Sequence, residues 1–156
     1  MRVVVLLFAV LMGAGGAFAQ VSPEALQRKE AGNHFLKQRQ YEQARDQYLA
    51  ALQLEPGYAD AHYNLGVIYF FRIQNYPRAL YHFVEYARLR PDAEDLHQVR
   101  ALSIQALERV EAADRVAYAA ALEDGTVAAL QAYLADHPGS AFGEEALARL
   151  RELQPR

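Results

Sequence analysis

The sequence predicts an all-α protein of α-solenoid-like form, with two helix-turn-helix repeats, a long capping helix and a C-terminal helical hairpin. Three observations support this prediction. The chain matches itself at a shift of 34 to 35 residues, as stacked helical units do. A proline follows each unit, at positions 56 and 91, where it ends a helix. No glycine or proline interrupts residues 93–123, which are rich in helix formers.

The composition fits one folded domain and argues against several classes of function. The 156 residues are 53% hydrophobic and 22% charged, which is ordinary for a folded protein with a core. The net charge of -3 provides no basic surface for a nucleic acid. The chain has no cysteine, which excludes disulfides and thiolate metal sites. We therefore expect neither a nucleic-acid partner nor a cofactor.

Residues 1–19 are predicted to be a signal peptide. Arg2 precedes an apolar run at residues 3–12, and small residues then lead to Ala17-Phe18-Ala19, which is the three-part layout of a secretory signal. The alternative is an uncleaved anchor, but the run is shorter than the roughly 20 residues that a spanning helix needs. We expect cleavage after Ala19, no stable membrane insertion afterwards, and a periplasmic or secreted protein.

The two predicted repeats occupy residues 20–91. Gly32 recurs as Gly66, and an aromatic residue stands three positions after each glycine. The later positions recur at a shift of 35, so one extra residue lies within the segment FFRIQN, residues 70–75. These later pairs are Tyr41 and Tyr76, Ala44 and Ala79, Tyr48 and Phe83, and Pro56 and Pro91.

Each repeat glycine is predicted to serve helix packing. Glycine inside a helix costs about 1 kcal/mol relative to alanine, and close approach of a second helix can offset that cost. We expect Gly32 to face Ala44 and Gly66 to face Ala79, with the aromatic residues filling the gaps on either side. A phosphate-binding loop is not indicated, because no strand precedes either glycine and no second glycine follows at the required spacing.

These residues resemble the tetratricopeptide repeat (TPR) family over about residues 25–91. The sequence departs from the family pattern in the inserted residue, in Tyr86 where a small residue is usual, and in the absence of tryptophan. The carriers of the resemblance are Gly32, Phe35, Tyr41, Ala44, Tyr48, Ala51 and Pro56, then Leu65, Gly66, Tyr69, Tyr76, Ala79, Phe83 and Pro91.

Residues 92–156 are predicted to form the capping helix and a helical extension. Asp92 is the expected N-cap, and the following segment is either one long helix or two helices with a break at residues 111–114. Asp124-Gly125 ends it, and Thr126 caps a helix over residues 127–136. After a turn at residues 137–139, Ser140 is expected to cap a last helix over residues 141–153.

The C-terminal segment also resembles the second half of a divergent TPR-like repeat of bacterial envelope proteins. This resemblance covers some 35 residues and implies a scaffold. The residues that carry it are Pro138, Ser140, Glu145, Ala146 and Leu150.

The TPR resemblance implies a concave groove lined by the first helix of each repeat. A protein partner, as a peptide or a helix, would bind there. The residues placed in this groove are Lys29, Asn33, Leu36, Lys37, Tyr63, Asn64, Val67, Phe71 and His97.

Three of these residues match a clamp with which some family members hold the C-terminal carboxylate of a peptide. They are Lys29, Asn33 and Asn64, which would supply an ammonium and amide donors. The lysine and arginine of the third repeat are absent, because Glu94 and Gln98 stand there. The clamp therefore remains one of two readings, the other being that the asparagines are ordinary family consensus residues.

Catalytic and metal sites are not indicated by spacing. The serines and Thr126 have no triad context, and the five histidines form neither an i, i+4 pair nor an H-E-x-x-H motif. We therefore expect a non-enzymatic exported scaffold or adaptor of the bacterial cell envelope. The alternatives are a metal-binding or enzymatic accessory protein that uses its histidines, and a structural protein that homodimerises through its incomplete end.

Overall fold

The computed structural model describes residues 21–154, which form seven α-helices and one π-helical turn and contain no β-strand. The predicted all-α class is therefore confirmed. The signal-peptide prediction falls on residues 1–19 and lies outside the described residues. The helices are α1 (Pro23–Lys37), α2 (Tyr41–Leu54), α3 (Ala59–Ile68), α4 (Tyr76–Leu89), α5 (Leu96–Asp124), α6 (Val127–Asp136) and α7 (Gly143–Leu153), with the π-helical turn at Tyr69–Ile73.

Side-chain caps fix the start of three helices. The Ser22 hydroxyl accepts a hydrogen bond from the Ala25 amide at 3.2 Å, and Asn75 Oδ1 accepts one from the Arg78 amide at 3.1 Å. Thr126 Oγ1 accepts from the amide three residues on, also at 3.1 Å, as the sequence predicted. Each cap satisfies an amide that has no partner within the helix.

The first four helices form two stacked hairpins, which are the two predicted repeats. Helix α1 packs on α2, α3 packs on α2 and α4, and α5 packs on α4. Their shared core contains the largest fully buried side chains of this region, Tyr48, Leu65, Ile68, Tyr69, Phe83 and Val99.

The two repeat glycines face aromatic rings. A Cβ at Gly32 would lie 2.7 Å from Cε1 of Tyr48, and one at Gly66 would lie 2.6 Å from Cδ1 of Phe83. The prediction that Ala44 and Ala79 face the glycines is therefore wrong, because the rings one turn further along α2 and α4 occupy that place. A ring can lie this close to a helix backbone only where the helix carries no side chain.

The extra residue of the second repeat is accommodated by the π-helical turn. In the first repeat the Gln40 amide donates to the Phe35 carbonyl, five residues back, at 3.0 Å. In the second repeat the corresponding Asn75 amide donates to the Tyr69 carbonyl, six residues back, at 2.9 Å. The wider turn absorbs the insertion, so both first helices end in the same way and α4 begins in register with α2.

Helix α5 is one continuous helix of 29 residues, so the break considered at residues 111–114 does not occur. It begins at Leu96, and Asp92 lies in a turn four residues earlier, so the prediction of Asp92 as the N-cap is wrong. Asp95 is the N-cap residue instead. Its carboxylate accepts a hydrogen bond from the Tyr86 hydroxyl at 2.7 Å, which ties the start of α5 to α4.

The C-terminal half of α5 carries a second small core with α6 and α7. The α5 helix ends at Asp124, and Gly125 follows it with a left-handed φ of 67°, as the Asp124-Gly125 pair predicted. The buried members of this core are Tyr118, Ala121, Leu130, Tyr133, Ala146 and Leu150.

Ser140 attaches the last helix to α5 rather than capping it. Helix α7 begins at Gly143, later than predicted, because the next two residues form a turn in which Ser140 Oγ accepts from the Phe142 amide at 2.9 Å. The same hydroxyl donates to Asp114 Oδ2 at 2.7 Å, and Tyr133 donates to Asp114 Oδ1 at 2.8 Å. The prediction of Ser140 as a helix cap is therefore wrong.

Of the helices within residues 21–154, none is long and apolar enough to cross a membrane.

Candidate functional site

A polar cavity of about 270 Å³ lies where α1, α3 and the start of α5 meet. Its position follows from helix periodicity, since residues one turn apart on α1 and on α3 point the same way. Helix α4 and the α4–α5 connection close it. The lining residues are Lys29 and Asn33 from α1, Asp60, Tyr63 and Asn64 from α3, Tyr86 from α4, and Asp95.

The single ammonium group of this cavity is held by carboxylates. Lys29 Nζ donates to Glu30 Oε1 at 3.2 Å and lies 3.9 Å from Asp60 Oδ2. Burial alone would lower the pKa of Lys29, but the hydrogen bond to Glu30 and the neighbouring negative charges together raise it. Lys29 is therefore charged and already paired at neutral pH.

The two asparagine side chains of the cavity are tied to the protein. Asn33 Oδ1 accepts from the Tyr48 hydroxyl at 2.7 Å, and its amide nitrogen lies 3.4 Å from Glu30 Oε2. Asn64 Nδ2 donates to the Asp60 carbonyl at 2.8 Å. Because Tyr48 also packs against Gly32, the groove surface is connected to the core of the first repeat.

Two tyrosines form the wall of the cavity. The rings of Tyr63 and Tyr86 lie 5.3 Å apart, centroid to centroid, and are tilted by 53°. Tyr86 is buried, and burial, followed by its hydrogen bond to Asp95 and the charge of that carboxylate, raises its pKa to about 12. Tyr86, which departs from the TPR pattern, is therefore the residue that positions Asp95.

Five of the nine predicted groove residues lie outside the cavity. Leu36 and Val67 are half-buried and pack against the core of the repeats. Lys37 and His97 are exposed, and His97 Nδ1 contacts the Glu94 carbonyl at 3.2 Å. Phe71 is 53% exposed, and its ring packs edge to face with the Phe70 ring at 4.8 Å between centroids.

Three cavity residues were not predicted from the sequence. Asp60 stands one helical turn before Asn64, so the i, i+4 rule could have placed it there. Tyr86 and Asp95 come from the second helix of a repeat and from a turn, and no repeat position indicates them. Their place depends on where α5 begins.

A second polar contact joins the two helices of the second repeat on its other side. His62 Nδ1 lies 3.0 Å from His82 Nδ1, and His62 Nε2 lies 3.1 Å from the Pro56 carbonyl. Only a protonated Nε2 can donate to a carbonyl, so His62 accepts at Nδ1 and His82 donates. In the first repeat, Arg28 and Gln47 stand at the corresponding positions and are hydrogen-bonded at 3.2 Å.

Both histidines are buried, and burial is the main cause of their lowered pKa values. The pKa of His82 falls to about 4, with contributions from His62 and Arg78 after burial, and that of His62 also falls. The pair is therefore neutral at pH 7. Within the described part of the chain, no three histidine, aspartate or glutamate side chains are grouped so that they could hold a metal ion.

Comparison with known protein families agrees with the geometry. Residues 32–72 match the family model described as TPR repeat. This segment is similar to a TPR repeat. The matched segment runs from Gly32 through α2 and α3 into the π-helical turn, and TPR repeats in general mediate protein–protein interaction as non-enzymatic scaffolds. No curated protein gives a significant match to the chain.

Proposed function

We propose that this protein is a non-enzymatic exported scaffold or adaptor of the bacterial cell envelope, which binds a peptide or helix of a partner protein. The groove on α1, α3 and the start of α5 is the proposed binding surface. The observation that supports it is the cavity of about 270 Å³ at the junction of these elements, four of whose lining residues lie in the segment that matches the TPR repeat. Small concave sites with a few convergent polar groups are typical binding positions.

The hydroxyl groups of the chain support a scaffold rather than an enzyme. Ser22 and Thr126 accept hydrogen bonds as helix caps. Ser103 donates to the Val99 carbonyl one turn back, and Ser140 is engaged by Asp114. Each of these four serine and threonine hydroxyls therefore serves a helix cap, a turn or a helix backbone, and none of the four is hydrogen-bonded to a histidine that could activate it as a nucleophile.

The proposal of export is supported by residues 1–19. One positive charge, a short apolar run and a small-residue cleavage site follow each other in the order of a secretory signal. A scaffold that works in the envelope would then meet its partner after translocation.

Site-specific photo-crosslinking in cells tests the groove. A photoreactive amino acid at the exposed positions Lys37 or Phe71, which the TPR resemblance places on the concave face, should form an adduct with the partner. The same amino acid at Gln43, exposed on α2, should not. Adducts from position 43 alone would show that the partner uses the outer face, and the groove proposal would then be wrong.

A second candidate function is self-association through α5. Ile104 and Leu107 are 59% and 44% exposed. They follow Arg100, which stands at the position of the repeat glycine, so they lie on the face where a second helix of a third repeat would pack. A second copy could cover this face. Light scattering that gives a dimer mass, lost in the Ile104→Glu variant, would support it.

A further inference from the structure

We propose that the cavity lined by Lys29, Asp60 and Asp95 receives a cationic side chain, a lysine or an arginine, of the bound partner. This inference rests on the proposed function of the groove and names the chemistry of the group that the groove selects. It differs from the carboxylate clamp that the sequence suggested, in which the same cavity would hold the C-terminal carboxylate of a peptide.

The groups that a clamp would need each already make a polar contact within the protein. The Lys29 ammonium is held by Glu30, and the Asn64 amide donates to the Asp60 carbonyl at 2.8 Å. The Asn33 amide nitrogen lies within hydrogen-bond distance of the same Glu30 carboxylate. A ligand carboxylate would have to compete with the Glu30 carboxylate for Lys29 and Asn33.

The acceptors of the cavity are not saturated by hydrogen bonds. Lys29 and Arg90 form long ion pairs with the Asp60 carboxylate, each at 3.9 Å, and no side-chain donor within residues 21–154 is hydrogen-bonded to either of its oxygens. Asp95 accepts from the Tyr86 hydroxyl through Oδ1, and within residues 21–154 no donor reaches its Oδ2. Two carboxylates can therefore accept hydrogen bonds from an incoming ammonium or guanidinium group.

The charge and shape of the cavity favour the same ligand. Its lining holds two carboxylates against one ammonium, and the flanking Glu30 and Arg90 leave that excess of negative charge unchanged. A second carboxylate would be repelled, whereas a cation would be attracted. The ring of Tyr63 adds an aromatic wall, against which cations pack favourably. A volume of about 270 Å³ suits the end of one long side chain rather than a whole peptide.

An NMR titration of the 15N-labelled protein tests the inference with four small probes. These are Nα-acetyl-lysine methylamide, the arginine analogue, the uncharged norleucine analogue, and the glutamate analogue, which carries a carboxylate. We expect the lysine and arginine probes to shift the backbone amides of residues around the cavity, such as Asn64 and Asp95, with saturation in the millimolar range. The norleucine and glutamate probes should leave these amides in place.

Matched variants show whether the two carboxylates are responsible. The double variant Asp60→Asn, Asp95→Asn keeps the size of both side chains and an acceptor for the Tyr86 hydroxyl. It should lower the affinity for the lysine probe about tenfold. Glu42→Gln, which removes an exposed charge from α2, should have no effect. Preferential saturation by the glutamate probe, equal shifts with norleucine and lysine, or an unchanged lysine affinity in the double variant would each overturn the inference.

The failure of this inference can be told from the failure of the proposed function. If the partner crosslinks to positions 37 and 71 but the lysine and arginine probes do not bind the cavity, the groove is correct and the cationic ligand is wrong. If crosslinks form at position 43 alone, the proposed groove itself is wrong.

Discussion

The ring of Phe83 occupies the space that a side chain at Gly66 would need. A Cβ on this glycine would lie 2.6 Å from the ring, closer than any ordinary carbon contact. The same relationship joins Gly32 to Tyr48 in the first repeat, so it is the shared packing contact of the two hairpins.

Gly66→Ala should therefore destabilise the protein by about 1–3 kcal/mol, because the buried ring cannot move aside without disturbing the core. Against a domain stability of about 5–15 kcal/mol, this should lower the melting temperature clearly. Gly57→Ala is the control, since a Cβ there would meet only Leu89 at 3.8 Å. Equal melting temperatures for the two variants would contradict this packing of Phe83 against Gly66.

The buried pair of His62 and His82 should make the stability of the second repeat depend on pH. The pKa of His82 is lowered in the folded state to about 4, from an ordinary value near 6.5, mainly by burial. Since the unfolded chain binds the proton more readily, the contribution is fully present above pH 6.5 and is lost as the pH falls towards 4. Glu85, Arg78 and Arg88 are the charged groups that affect the pair.

Thermal melts from pH 7.5 to 4.5 measure this dependence. His82→Gln should flatten the wild-type decrease, because a glutamine amide can donate to His62 Nδ1 and does not titrate. His97→Gln, which changes an exposed histidine, should leave the decrease as it is. If both variants follow the wild-type curve, other groups dominate the acid sensitivity and the account of this pair is wrong.

Asp114 should hold the C-terminal hairpin on α5. Its carboxylate accepts hydrogen bonds from both Tyr133 and Ser140, and bonds to a charged group contribute about 1.5–3 kcal/mol. Asp114→Ala should raise hydrogen exchange in α6 and α7 and leave α1 to α4 unchanged. Glu108→Ala, at an exposed position on α5, is the matched control, and protection of α6 and α7 equal to wild type in Asp114→Ala would exclude this role.

Export should remove residues 1–19. N-terminal sequencing of the protein recovered from the periplasmic fraction should begin at Gln20, because cleavage is expected after the Ala17-Phe18-Ala19 site. Recovery of the form that begins at Met1 from the membrane fraction would show an uncleaved anchor instead.

The repeat period predicted the helices well because residues at equivalent positions of the two hairpins have the same structural role. It located the extra residue in FFRIQN, but the π-helical turn that absorbs it depends on how both ends of the helix are held. The partner of each repeat glycine was missed, since the period does not give the rotation of one helix against the other. The prediction was wrong by one helical turn of α2, so it named Ala44 instead of Tyr48 as the residue that faces Gly32.

Only part of the candidate site was predicted, for a similar reason. Lys29 and Asn33 lie one turn apart on one helix, and their direction follows from helix geometry alone. Asp95 lies in the cavity because α5 begins later than Asp92, and Tyr86 reaches it from another helix. The contact between His62 and His82 could have been predicted. The repeat shifts align His62 with Arg28 and His82 with Gln47, so both positions hold a polar residue in both repeats.

The central claim is that a protein partner binds in the groove on α1, α3 and the start of α5. It is tested most directly by measuring the affinity of the crosslinked partner for two double variants with wild-type melting curves. Asp60→Ala with Tyr63→Ala changes the cavity, and Glu42→Ala with Gln43→Ala changes the exposed face of α2. The account predicts a large loss of affinity for the first variant and wild-type affinity for the second. Loss of binding only in the second variant would contradict it.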